Sequence, residues 1–352
     1  MKVSGLSRYS LCLSIGIATL AGCGGLRPEL SLPGLAQPAA KAVGREHRHA
    51  RVDGGLGKWD LLYVSNDIHA SGTSRQEEGT VTVYRYWKQT LVQTLTGFKV
   101  PRGACVDAAN NVYITDYGAN DVVEYAHGGA TPIRTLAADR PLSCAVDQYS
   151  GDLAIANYVK GVFIYKHGTG EPRIYKDSSL YGYYALGYDD DGNLLVTDGC
   201  DDYKTVSCTP ADFAYLQRKG KRLVTIGIPG TSGGDDYLNV SAILWDGKYW
   251  VIPAWTAQCR ISTACLTRIS ISGNKATYVS TTNLNQFANP GGVALYDDND
   301  PKKQAAQIAG PPGFYYQIVY FWNYPSGRKP IGKITDGVRA ARNATISYKT
   351  AP

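Results

Sequence analysis

Short runs of apolar or alternating residues, rich in Val, Ile, Tyr and Thr and separated by Gly, Asn and Asp, follow one another along most of this chain. Side chains of a strand alternate between two faces, so such runs bounded by turn residues predict strands rather than helices. Between Pro101 and Ala138 four of them, GACVDA, NVYITD, DVVEYA and PIRTLA, predict four antiparallel strands. The stretch from Arg140 to Asp177 keeps CAVD, LAIAN, GVFIYKHG and PRIY in the same order, with Val146-Asp147 standing 40 residues after Val106-Asp107. The unit of the fold is therefore a repeated four-stranded sheet.

Later copies are diverged and carry insertions. ALGYDDDGNLLVTD from Ala185, AILWDGKYWVIP from Ala242, and GVALYDD from Gly292 answered by IVYFWN ending at Asn323 each read as a first and second strand. The two ends of the chain decide the architecture. Trp59 to Asn66, WDLLYVSN, is a second strand with no first strand before it, and Asn343 to Tyr348, NATISY, is a first strand with nothing after it. Each supplies what the other lacks, so the chain is expected to close into a ring, which removes the free edges of an open array. Counting units that start near Trp59, Pro101, Arg140, Ser179, Asp235 and Ala288 predicts six blades, all-β, spanning residues 58–350.

The segment GACVDAANNVYITDYGANDVVEYAHGG and its counterparts resemble the NHL-type and SMP-30-like six-bladed β-propellers. The resemblance runs from about Trp59 to Tyr348, strongest in the second to fourth blades. It implies a propeller of four-stranded antiparallel blades, closed by the C-terminal strand against the first blade. Such propellers include lactonases, lyases, sensors and plain binding modules, so the fold does not bring a function with it.

With 26 Tyr, 39 Gly and one Met, the composition suits many short strands joined by tight turns, and no helical period stands out. The first 22 residues read as a signal peptide: Lys2 and Arg8, the apolar run Leu11 to Leu20, then Leu20-Ala21-Gly22-Cys23. LAGC looks like a bacterial lipobox, which implies lipidation of Cys23 and a membrane partner reached through the lipid. The apolar run is well short of the roughly 20 residues that span a bilayer. Residues 23–57, rich in Pro, Gly and Ala, read as a flexible tether, in which His47 and His49 are taken as solvated. The expected location is extracytoplasmic, lipid-anchored to a bacterial membrane; Gly24 rather than Asp after the Cys leaves outer membrane and cell surface open. The formal charge of +6 falls to about +4 without Lys2 and Arg8, too little and too dispersed to indicate nucleic acid.

Six cysteines remain after Cys12 and Cys23 are set aside, and an oxidising compartment makes disulfides the default. Cys200 with Cys208 and Cys259 with Cys265 fall in two insertions and are read as loop staples. Cys105 precedes Asp107 by two residues and Cys144 precedes Asp147 by three, which puts them on opposite faces of equivalent inner strands, where they either bridge adjacent blades or stand as buried thiols.

Most insertions fall on one side of the disc, where second strands end and the chain crosses between blades: Asp67 to Glu78, Gly199 to Asp212, Ala254 to Cys265 and Gly230 to Asp236. Asp298 to Gly313 is read as an insertion between strands one and two, on the other side. The second strands end in Asn66, Asp116, Asn157, Asp198 and Asn323, with Pro253 in the fifth blade. These groups read either as a ligand-binding ring or calcium site, or as strand terminators that bond the following turn. Tyr117, Tyr158 and Tyr324 come one residue later, with Trp255 near the fifth equivalent, an aromatic set suited to sugars, peptides or aromatic metabolites. Asp189-Asp190-Asp191-Gly192-Asn193 is read as a turn, and His127 and His167 as belonging to separate blades. His69 has no partner for acid-base work, and no nucleophile elbow occurs. The sequence thus favours a non-catalytic binding module for a carbohydrate, peptide or protein ligand, without cofactor. The alternative is a calcium-dependent hydrolase or lyase of SMP-30-like type, with Asp116, Asn157, Asp198 and Asn323 around the ion.

Overall fold

The computed structural model describes residues 58–67, 78–199, 213–227, 242–253, 265–285, 292–297, 307–312 and 316–349. Blade one contains β1 (Leu61–Asn66), β2 (Gly79–Arg85) and β3 (Thr90–Phe98). Blade two contains β4 (Pro101–Val106), β5 (Val112–Asp116), β6 (Asp121–Tyr125) and β7 (Pro132–Ala137). Blade three contains β8 (Pro141–Val146), β9 (Leu153–Asn157), β10 (Gly161–Tyr165) and β11 (Arg173–Tyr175); a 3-10 turn at Lys166–Gly168 follows β10. Blade four is β12 (Tyr183–Tyr188), β13 (Leu194–Asp198), β14 (Phe213–Leu216) and β15 (Val224–Ile226). Blade five is β16 (Leu244–Trp245), β17 (Trp250–Pro253), β18 (Cys265–Ser272) and β19 (Lys275–Asn283). Blade six is β20 (Ala294–Tyr296), β21 (Gln307–Gly310), β22 (Val319–Asn323) and β23 (Gly332–Ile334), and the last strand is β24 (Ala341–Ser347). These make six sheets of four strands, antiparallel throughout, in the ring of a six-bladed β-propeller.

The ring closes as the half-blades at the two ends require. β24 takes the inner place of blade one and pairs antiparallel with β1, Leu61 opposite Ser347 and Tyr63 opposite Thr345. His127, in the turn after β6, fastens the joint from the neighbouring blade: Nε2 lies 3.0 Å from the Trp59 carbonyl and Nδ1 2.6 Å from Ser347 Oγ.

Each blade is covered on both faces, and one apolar cluster fills each junction. Leu61 and Tyr63 of β1 point into the cluster shared with blade two, beside Ile114 and Tyr125. Leu62 and Val64, on the other face, point into the cluster shared with blade six, beside Ala309 and Phe321. Every residue of β1 is accordingly buried. This is why the second strands read as continuous apolar runs rather than as clean alternation. Inner strands of adjacent blades touch closely in places: a Cβ on Gly103 of β4 would come within 2.7 Å of the Leu142 carbonyl and Ser143 Cα of β8. Across the same junction Cys105 and Cys144 are disulfide-bonded with their Cα atoms 5.6 Å apart, the bridging alternative for that pair. Cys265 is also disulfide-bonded; Cys200, Cys208 and Cys259 lie outside the described residues.

One blade departs from the expected register. VYFWN is the third strand of blade six, β22, and its second strand is QIAG, β21, inside the stretch read as an insertion from Asp298 to Gly313. Asn323 pairs with Gln307, the first residue of β21, so it lies at the end of the blade opposite to Asp116, Asn157 and Asp198. The position that matches those residues in blade six is Gly310.

Candidate functional site at the axial mouth

We call the top of the ring the end at which second strands finish and the chain crosses to the next inner strand. Four polar side chains stand there at the ends of β1, β5, β9 and β13, and each takes hydrogen bonds from the crossing segment. Asn66 Oδ1 accepts the Arg339 N–H at 3.0 Å, and Asn157 Oδ1 accepts the Asp139 N–H at 2.9 Å. Asp116 accepts Lys99 N–H on Oδ2 and Val100 N–H on Oδ1, both at 2.8 Å, and Ala119 N–H on Oδ1 at 3.1 Å. Asp198 Oδ1 accepts Gly182 and Gly199 N–H at 2.9 and 2.8 Å. Asn66, Asp116 and Asn157 are completely buried. The crossing backbone would otherwise bury unpaired donors, and these side chains satisfy them at the point where each blade is entered. Pro253 and Gly310 have no side-chain acceptor to offer, so the latch belongs to the first four blades.

The inner strands surround the axis, and here a second regularity appears. Ala341, Pro101, Pro141 and Tyr183 occupy the same register opposite the strand-end residues, and in each of these four sheets the pairing slips at the adjoining position. A bulge of this kind re-aims the neighbouring side chains, and bulges recur beside functional sites. The residues that follow in the four blades are Arg342, Arg102, Leu142 and Tyr184. The residues that follow the strand ends of blades one to three are Asp67, Tyr117 and Tyr158.

These two sets meet and divide the mouth into sectors. In blades one and two, Nε of Arg102 and Nε of Arg342 lie 3.8 and 3.4 Å from the same Asp67 Oδ2, and the three side chains are 16, 9 and 2% exposed. The Arg102 guanidinium also lies over the Tyr117 ring, 4.1 Å from its centroid. Its Nε and Nη1 are nevertheless buried without a hydrogen-bond partner, as is Asp67 Oδ1. A buried donor left in that condition costs about 1–3 kcal/mol, more when charged. In blades three and four the mouth is aromatic: Tyr158 and Tyr184 meet edge to face at 6.4 Å, and Arg140 lies 5.5 Å from the Tyr158 ring centroid. Arginines at the head of inner strands are visible in the sequence as PRGACV and ARNATI beside PLSCAV. Attention to second-strand ends passes over them.

The remaining candidates are elsewhere. Tyr324 follows Asn323 at the base, buried between blades five and six, where its hydroxyl donates to Asp246 Oδ2 at 2.6 Å. Burial, reinforced by the Asp246 carboxylate, pushes its pKa well above the usual phenol range. Both residues therefore leave the ring with which they were grouped. Asp189 anchors the β12–β13 turn by accepting Asp191 and Asn193 N–H on Oδ1 at 3.1 and 2.8 Å. His167 contacts the Ser150 carbonyl at 2.6 Å within blade three, far in the chain from the joint held by His127. Cys23, His47, His49, His69, Trp255 and most of each insertion lie outside the described residues. Among the described residues, no three His, Cys, Asp or Glu side chains gather as a metal site, and no helix is long and apolar enough to cross a membrane.

No protein-family model matches the chain, and no curated protein matches it in sequence. Similar solved structures exist at low identity. A nidogen–laminin complex contains a chain similar to this one at TM-score 0.58 and 12% identity, covering 83% of this chain and all of that one. A protein of unknown function from Bacteroides caccae is similar at TM-score 0.52 and 12% identity, over 82% of this chain and 98% of that one. Hydrazine synthase of Kuenenia stuttgartiensis is similar at TM-score 0.51 and 15% identity, over 72% and 80%. At such identities the likeness establishes the propeller fold alone.

Proposed function

We propose that this protein is a binding module of the NHL or SMP-30-like propeller type, a lipoprotein held outside the cytoplasm by a lipid on Cys23, which presents the top of its ring to a carbohydrate, peptide or protein. One observation carries the reading of the top as the recognition face: four bulged inner strands place Arg342, Arg102, Leu142 and Tyr184 at that end, next to the strand-end followers Asp67, Tyr117 and Tyr158. Charged and aromatic groups converging on one axial end suit a ligand with polar and planar parts. The latch residues Asn66, Asp116, Asn157 and Asp198 stand behind this layer as supports that fix the inner strands. The repeat segments quoted above and the LAGC sequence support the family and the anchor.

Two experiments test the proposal. Metabolic labelling with a palmitate analogue should mark the wild-type chain in bacterial membranes, and Cys23→Ser should abolish both label and membrane retention; a retained, unlabelled protein removes the anchor. A glycan and peptide array should show binding that Tyr158→Ala weakens at least tenfold with the melting transition kept. Binding that depends on base residues such as Tyr149, exposed in the turn between β8 and β9, would instead move the recognition face to the other side.

A further inference from the structure

We propose that the cationic sector of the mouth receives an oxyanion carried by the ligand, a carboxylate or a phosphate, between Arg102 and Arg342, with Asp67 holding the place when no ligand is bound. The inference rests on the reading of the top as the recognition face and names the chemistry recognised there.

Three features point to it. The two arginines occupy equivalent register positions on neighbouring inner strands, and both guanidinium groups approach the same carboxylate oxygen, Asp67 Oδ2. A guanidinium offers its donors in a planar fork that matches the oxygens of a carboxylate or phosphate. In Arg102 two nitrogens of that fork are buried and bonded to nothing, and the 3.8 Å approach to Asp67 is too long to be a hydrogen bond. The guanidinium already rests over the Tyr117 ring, which limits the ordering needed when the anion arrives. The unbonded Oδ1 of Asp67 shows the same mismatch from the other partner. An ion pair that existed only to hold the fold would be expected to close these bonds. Leu142, Tyr158 and Tyr184 lie in the blades that follow and provide an apolar and aromatic flank for the rest of the ligand.

Calorimetric titration of the full chain with inorganic phosphate, galacturonate and uncharged galactose tests the inference, with a thermal melt of every variant. Phosphate or galacturonate should bind and galactose should not; phosphate alone would identify a phosphorylated source, galacturonate alone an acidic sugar. Arg102→Met, which keeps an apolar stem of similar length without the guanidinium, should weaken anion binding at least tenfold. Asp67→Asn removes the internal competitor and should tighten it several-fold, a gain that a purely structural ion pair cannot give. Equal binding by wild type and Arg102→Met, or weaker binding by a cooperatively melting Asp67→Asn, overturns the oxyanion site. A neutral glycan or peptide that binds through Tyr158 and is indifferent to Arg102→Met would also overturn it, while leaving the binding-module reading in place.

Discussion

The Asp60 carboxylate accepts the backbone N–H of Lys349 at 3.0 Å across 289 positions of sequence. Its other oxygen accepts Trp87 Nε1–H at 3.1 Å and the Tyr296 hydroxyl at 2.8 Å, so one side chain joins the first blade, the sixth blade and the final strand. Asp60→Ala removes this acceptor from the buried Tyr296 hydroxyl and from the N–H groups of Trp87 and Lys349, whose residues reach water. At about 1–3 kcal/mol per orphaned group, and allowing for water reaching some of them, a loss of about 3 kcal/mol is expected. Urea denaturation should show it as a lower midpoint with an unchanged slope; a shift below half a kilocalorie would mean that strand pairing alone holds the joint.

The disulfide between Cys105 and Cys144 spans 39 positions and crosses a blade junction. A cross-link of that reach restricts the unfolded chain, and its removal typically costs about 2–4 kcal/mol. Cys105→Ser with Cys144→Ser should therefore lower the melting temperature, and a reducing agent should lower the wild type toward the double variant. If the double variant itself shifts on reduction, the bridge at Cys265 contributes the remainder.

Asp116 offers a test of what the strand-end residues do. Asp116→Ala strands the N–H groups of Lys99 and Val100, whereas Ala119 N–H keeps the residue-116 carbonyl, and a loss of about 2–4 kcal/mol is expected. Since both carboxylate oxygens already accept backbone donors, chelator treatment should leave the melting temperature of the wild type where it was. Stoichiometric calcium that is released by chelator and lost in Asp116→Ala and Asp198→Ala would restore the enzyme alternative.

Asp177 should give stability a dependence on acid. Burial raises its pKa, but hydrogen bonds from the Ser179 hydroxyl and amide and from Thr225 outweigh burial and hold it below the ordinary aspartate value. A depressed carboxylate stabilises the folded state above its unfolded pKa, about 3.9, and that contribution disappears as pH falls through the lower folded value. The difference in unfolding free energy between wild type and Asp177→Asn should be constant near neutrality and shrink in strong acid. A difference that grows on acidification contradicts the assignment.

Ring closure was legible because the half-blades around Leu62 and Ala344 carry strong β-forming residues and lack complementary neighbours in sequence. The sixth blade was not. QIAG is four residues long, preceded by KKQAA and followed by two prolines, and contains only one β-branched residue, whereas VYFWN has the aromatic content of a central strand. Propensity therefore promoted the third strand to second place and carried Asn323 and Tyr324 to the wrong end. The pairing of Arg102 and Arg342 was illegible for another reason. Their meeting at Asp67 depends on bulges in two strands remote in sequence, and no local pattern announces a bulge.

The arrangement of β1 against β24 has a consequence for synthesis. A ribosome that stops anywhere before Ala341 releases a chain whose earliest sheet shows a bare flank of backbone donors and acceptors. Such a product can satisfy that flank only by borrowing a strand from another molecule. Late nonsense mutations and C-terminal trimming by proteases should therefore yield aggregates and degradation, not a slightly shortened working protein.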